Sequence, residues 1–224
     1  MTAIIRADYL VQVHPFISNK DARYYLRGAY IAPNATGGAR IVGSDGHVLG
    51  IFHDANGVCD KADIWPISKE LLAACKPARK NIGTRWLVLV DGRAVVAFGM
   101  DWTEALVSAG SNDPAVIAYQ KMIKPIDGTF PDYMRVVPRL DDDKPLVSDS
   151  YNPALLARVF SPGKFDEFGA NLREGACGWL VSDGIGNPAI VKVTDRADYF
   201  GVVMPMRVGC GVTTADRPAW MDGR

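Results

Sequence analysis

Apolar residues in this chain recur as paired runs that fold over a short polar turn. The plainest pair runs from Arg85 to Phe98, where two β-branched, apolar segments flank Asp91-Gly92. Asp-Gly accepts the positive φ values of a two-residue turn, so this stretch predicts a β-hairpin. Ala39 to Phe52 repeats the pattern around Asp45-Gly46. Trp179 to Val193 repeats it around Asp183-Gly184 and a Gly-Asn-Pro loop. Each pair follows a segment with apolar residues at helical spacing. Ala7–Ser18 precedes the pair at 39–52, with Pro15 limiting or kinking it. Ser68–Lys76 precedes the pair at 85–98, with Ser68 as N-cap, and Asn152–Phe160 precedes the third, with Asn152 as cap and Pro153 at the first helical position. The pattern predicts an α+β protein, dominated by sheets with short helices packed on one face, built from a repeated helix-plus-hairpin unit. Arg139–Pro145 is polar and ends in proline, which reads as a linker. Residues 212–224 carry no periodic pattern and read as a loose tail.

Composition narrows the classes. Lys plus Arg and Asp plus Glu number 25 each, for a net charge of zero, so grip on nucleic acid by bulk charge is disfavoured while a local basic stripe is not. No apolar run approaches the ~20 residues that span a bilayer, and Met-Thr-Ala-Ile-Ile-Arg at the N-terminus lacks a signal-peptide core. The expectation is a soluble, cytoplasmic protein without membrane contact. Cys59, Cys75, Cys177 and Cys210 form no CxxC pair and read as reduced apolar fillers. His14, His47 and His53 are equally dispersed, which points away from a zinc site.

Candidate chemistry is thin. Ser44-Asp45-Gly46-His47 places a hydroxyl, a carboxylate and an imidazole within four residues. Catalytic groups normally converge from separate elements, so a turn followed by a half-exposed His is the better reading. Gly37-Gly38 lacks the context of a phosphate loop, and Asp141-Asp142-Asp143 lacks the Gly turn and distal Glu of a calcium loop. The expectation is a non-enzyme with no cofactor and no metal. Two segments stand out otherwise. Gly128–Pro138 packs aromatics, prolines and an Arg together, and Val202–Arg207 sets two methionines around a proline. Edge-strand packing and an adaptable apolar groove both fit such segments.

These residues resemble the bacterial β sliding clamp family, the processivity subunit of DNA polymerase III. Asp21-Ala-Arg-Tyr-Tyr-Leu-Arg-Gly28 is similar to that family's RYYLNG strand, and Val42-Gly-Ser-Asp-Gly-His-Val-Leu49 to its VATDGHRLA segment. Gly128–Pro138 resembles GRFPDYRRVLP, and Tyr199–Val208 resembles the terminal YVVMPMRL. The resemblance implies a DNA-clamp fold. Residues 1–139 would form one complete clamp domain of two half-modules, about 1–66 and 67–139, and 140–211 the second half of a following domain. The resemblance implies a homo-oligomer, and three half-modules against the family's six, with twelve to a ring, make four copies the arithmetic match. The shortened layout suggests a phage- or mobile-element-like version.

The resemblance also implies a hydrophobic pocket for short peptides carried by polymerases and other replication proteins. Leu26 falls at the pocket's strand leucine. Ser44, Gly46, His47 and Leu49 fall on the TDGH-L segment, and Pro138 on the inter-domain proline. Val203, Met204, Pro205, Met206, Arg207 and Val208 fall on the terminal segment. Val48 stands where the family has Arg, and Val208 where it has Leu. Clamp helices contact duplex DNA through phosphates, without reading bases. Here Lys69, Lys76, Arg79 and Lys80 lie on or after the second helix, with Arg158 and Lys164 near the third. Ordinary solvated faces explain these charges as well. A processivity factor that tethers a polymerase is the first functional reading. A non-encircling module that sequesters clamp-binding peptides and modulates the host replisome is the second, and a hydrolase resting on Ser44, Asp45 and His47 a distant third.

Overall fold

The computed structural model describes residues 2–18, 22–76, 84–111, 113–138, 150–164, 178–182 and 186–206. The chain enters on β1 (Thr2–Arg6) and turns into α1 (Asp8–Val13). Pro15 offers no amide to an α-helical ladder, and the helix tightens into a 3-10 turn over His14–Phe16. A second 3-10 turn, Tyr24–Leu26, leads into β2 (Gly28–Pro33), β3 (Ala39–Ser44) and β4 (Val48–Asp54). The RYYL stretch is therefore a turn rather than the strand expected from its sequence, and Leu26 sits just before β2. Short strands β5 (Val58–Cys59) and β6 (Asp63–Pro66) follow.

Ser68 starts α2 (Lys69–Cys75) by accepting a hydrogen bond from the Leu71 amide at 3.1 Å, as the sequence predicts. Strands β7 (Thr84–Val90) and β8 (Arg93–Gly99) form the expected hairpin, with φ of 50° at Asp91 and 72° at Gly92. Then comes α3 (Trp102–Ala109), which the hydrophobic pattern does not predict, and β9 (Ile117–Met122). A 3-10 turn spans Tyr133–Val136. Asn152 caps α4 (Pro153–Val159) through a 2.9 Å bond from the Ala154 amide. The 3-10 turn Ser161–Lys164 precedes β10 (Gly178–Val181), β11 (Ala189–Val193) and β12 (Tyr199–Val203). The linker at 139–145 and the tail at 212–224 lie outside the described residues, as do Cys177 and Cys210.

Two antiparallel sheets result, in the orders β5-β1-β7-β8-β9 and β10-β11-β12-β4-β3-β2-β6. In the second, β12 pairs with β4 from Tyr199↔Phe52 to Val203↔Val48, so strands far apart in sequence make one sheet. The inner faces of both sheets share a core with α1, α2 and α4, including Ile5, Leu10, Phe16, Phe52, Leu71, Leu87, Val159 and Tyr199. α3 departs from the one-face arrangement: it packs Ala105 and Ala109 against Trp86, Val88 and Val95 on the other side of the five-stranded sheet. The outer face of the seven-stranded sheet is partly covered by the segment carrying Phe130 and Tyr133, packed on Val42, Leu49 and Val202. No helix among the described residues is long and apolar enough to cross a membrane.

Candidate functional site

The turn between β3 and β4 shapes one end of that outer face. Only Gly46 takes a positive φ here, 86°; Asp45 works instead through its side chain. Its Oδ1 accepts from the amides of His47 at 2.9 Å and Val48 at 3.0 Å. Ser44 Oγ donates to the Val48 carbonyl at 2.9 Å and accepts from the Gly46 amide at 3.1 Å. Hydroxyl and carboxylate are thus both engaged by the turn, as the turn reading of this cluster expects. Arg23 Nη2 donates to the Asp45 carbonyl at 3.0 Å, and Arg158 Nη1 meets Asp45 Oδ2 at 2.6 Å. Burial alone would raise the Asp45 pKa. The two amides and the Arg158 guanidinium more than offset it and hold the carboxyl below its ordinary value.

Beside this turn lies a cleft of about 240 Å³. Leu49 and Val202, paired in register across β4 and β12, form its floor together with Leu26. Phe130 and Tyr133 form a wall, fixed by Phe130 stacking on Tyr30 with ring centroids 4.8 Å apart. Met204 closes the opposite side, its amide donating to the His47 carbonyl at 2.9 Å. Arg23, Asp132 and half-exposed Val136 complete the rim. An open apolar depression with a polar rim can receive aliphatic or aromatic side chains from a partner while the rim fixes their register.

Of the residues expected at a pocket, Leu26, Ser44, Gly46, His47, Leu49 and Met204 line this cleft. Val203 does not: it is fully buried on the inner face, and Val202 takes the outward position. Strand alternation forces that exchange. Pro138 and Pro205 are half-buried beyond the lining, Met206 is exposed outside it, and Arg207 and Val208 lie outside the described residues. The motif reading missed Arg23, Val48, Phe130, Pro131, Asp132, Tyr133, Val136 and Val202. The aromatic cluster in Gly128–Pro138 was the available signal for most of them.

The expected DNA-facing cations divide. Lys69 and Lys76 are exposed at the two ends of α2. Arg158, its side chain 27% exposed, is paired with Asp45 and with the Pro15 carbonyl, to which its Nε donates at 2.7 Å. Arg79, Lys80 and the side chain of Lys164 lie outside the described residues. Among the described residues, no group of three or more His, Cys, Asp or Glu side chains is placed to hold a metal.

No protein-family model matches the chain, and no curated protein matches it in sequence. Solved structures do. The DNA polymerase sliding clamp of Pseudomonas aeruginosa superposes with a TM-score of 0.57 at 22% identity, over 93% of this chain and 66% of that one. Caulobacter crescentus pol III beta gives 0.54 at 21% identity, over 92% and 66%. The Bacillus subtilis sliding clamp gives 0.56 at 12% identity, over 93% and 65%. The match therefore spans just under two thirds of each of those chains. The structural neighbours are bacterial DNA polymerase III beta sliding clamps, and the fold of this chain is the α+β sliding-clamp fold.

Proposed function

We propose that this chain is a clamp-like DNA replication processivity factor, acting in the cytoplasm, which holds a polymerase or another replication protein through the cleft beside the β3–β4 turn. The observation that carries the reading is an open, rimmed apolar cleft on a clamp fold, floored jointly by Leu49 and Val202 from two distant parts of the chain. Partner segments with a Gln followed by Leu and Phe anchors suit such a cleft, because its floor is apolar and Met204 adapts to varied side chains. Exposed Lys69 and Lys76 would contribute weak, sequence-independent contact with duplex phosphates in an oligomeric ring. A second reading, a non-encircling module that sequesters such peptides, is favoured by the pairing of Arg158 with Asp45, which neutralises one of the candidate DNA-facing cations. Light scattering separates the two: a tetramer supports the ring, a stable monomer the sequestering module.

Calorimetric titration with a peptide of that type tests the cleft itself. The wild type binds it. Val136→Asp, at a half-exposed rim position where the fold tolerates a charge, sets a carboxylate against the anchor and lowers affinity at least about tenfold, since an apolar ligand cannot satisfy it. Met204→Ala weakens binding less, by removing one wall. Absence of binding at millimolar peptide to well-folded protein would defeat both readings together.

A further inference from the structure

The chain runs past its own cleft before it continues into residues 207–224. Met204 closes one side of the cleft, and two residues on, the Met206 amide donates to the Ser150 carbonyl at 2.7 Å. Two residues of extended chain cover about 7 Å. We propose that the segment around Trp220-Met221 docks in the cleft of its own chain, as an intramolecular ligand that an incoming partner peptide must displace. This rests on the reading of the cleft as a peptide site and adds the regulation of that site.

Reach allows it. Trp220 follows Met206 by 14 positions. A flexible chain of that length has a root-mean-square span of roughly 20 Å and a limit of about 46 Å. The wall at Met204 is two residues from Met206, so the tether need not stretch. The intervening sequence, Val-Gly-Cys-Gly-Val-Thr-Thr-Ala-Asp-Arg-Pro-Ala, is mostly small or polar, which is the composition of a spacer. Within 207–224, Trp220 and Met221 alone set two large apolar side chains next to each other.

Chemistry matches the pair to the site. The cleft is an open depression of about 240 Å³ with Leu26, Leu49 and Val202 as its floor and Phe130 in its wall. Trp220-Met221 offers one aromatic and one flexible aliphatic side chain, the two kinds that the Leu and Phe anchors of a partner segment would place there. The rim carries one exposed charge of each sign, Arg23 and Asp132. The tail flanks its apolar pair with one of each, Arg217 before it and Asp222 after it, so no net repulsion opposes docking.

Docking of this kind weakens capture without abolishing it. A tether this short holds the segment at an effective concentration of the order of millimolar. An intrinsic dissociation constant of about 0.1 mM is within reach of two buried apolar side chains. The segment then fills roughly nine tenths of the clefts, and an added peptide binds about tenfold more weakly than it would to an open one.

The test uses the full chain. In calorimetry, Trp220→Ala binds the anchor peptide about tenfold more tightly than the wild type does, whereas Thr213→Ala, in the spacer, leaves affinity unchanged. A peptide of residues 213–224 binds the Trp220→Ala protein, and the same peptide carrying Trp220→Ala does not. The Met204 methyl resonance, assigned with Met204→Ala in methyl-labelled protein, reads the cleft with no peptide added: the indole shifts it in the wild type, and Trp220→Ala moves it. If the anchor peptide binds both proteins equally and the resonance stays in place, the inference is overturned while the capture reading stands. If the anchor peptide binds neither protein, yet the resonance moves and the 213–224 peptide binds, the tail docks and the capture reading falls. If the resonance change grows with protein concentration together with the mass in solution, the tail fills the cleft of a second copy, which overturns the intramolecular assignment.

Discussion

Asp45 shows how one side chain links a local turn to distant parts of the chain. Its Oδ1 organises the β3–β4 turn through two amides, and its Oδ2 receives Arg158 from α4, 113 residues away. Because these contacts outweigh the effect of burial, the folded-state pKa lies below the ordinary value of 3.8. A depressed carboxylate pKa means stabilisation that is fully present above the unfolded-state pKa and lost as the pH falls through the folded-state one. Asp45→Asn is therefore expected to lower stability at pH 7 by about 1–2 kcal/mol, the worth of a charge-assisted hydrogen bond. The difference from wild type closes as the pH drops below about 3.8. Thermal unfolding of both proteins at pH 7 and at pH 3 checks this, and an equal deficit at both values would rule out the charged contact as its source. The Ser-Asp-Gly-His string was legible as a turn because turn chemistry is local. That Arg158 completes it was not, since nothing in the sequence around position 158 distinguishes an internal partner from a solvated cation.

At the scale of elements, two strands make room for one helix. Gly43 and Gly50 pair in register on β3 and β4, and the end of α1 and its 3-10 turn settle into the notch they leave, while Gly201 on β12 makes room for the Tyr199 hydroxyl. A Cβ on Gly50 would lie 2.8 Å from the Phe16 ring, itself fully buried and in edge contact with Phe52. Gly50→Ala is thus expected to cost about 1–3 kcal/mol by forcing Phe16 out of its packed position, read as a lowered melting temperature. Phe16→Leu in the Gly50→Ala background, which gives the added methyl room, tests whether the loss is one of packing. A double variant that loses the full sum of the two single losses would refute the packing account. The helices with Ser68 and Asn152 caps and the hairpin at Asp91-Gly92 were readable for a shared reason: cap, turn and apolar run sit within one short window. α3 carried a readable start too, with Asp101 accepting from the Thr103 and Glu104 amides and Glu104 reaching back to the Met100 amide. Its exposed Trp102, Leu106 and Val107 blur the apolar stripe that would have announced it. β1 was hidden differently, because five residues acquire a strand's identity only from pairing with β5 and β7, some 55 to 90 positions on.

In the whole molecule, the residues after 150 complete the seven-stranded sheet. β12 supplies five register pairs to β4, and its Tyr199 ring packs against both Phe52 and Phe16. A buried polar chain runs beside it. Arg196, 3% exposed, donates to Gln12 Oε1 at 2.6 Å, to the Pro162 carbonyl at 2.5 Å and to Asp198, while Gln12 donates to Asp8 at 2.8 Å. Removing one member of such a network leaves the others desolvated without partners. The repeat boundary near residue 139 is thus expected not to be a folding boundary. A chain of residues 1–139 would expose β4 as a bare edge, uncover Phe52 and Phe16, and leave Gln12 buried without Arg196. Gel filtration and thermal circular dichroism should show it aggregated or melting without a cooperative transition, whereas residues 1–206 melt cooperatively. The cleft makes a sharper criterion. Its floor needs Val202 beside Leu49 and its side needs Met204, so even a soluble 1–139 fragment should lose peptide binding entirely. A monomeric, cooperatively folded 1–139 that still bound the peptide would show that the first two units build the site alone, and the shared sheet would then be dispensable for both stability and capture.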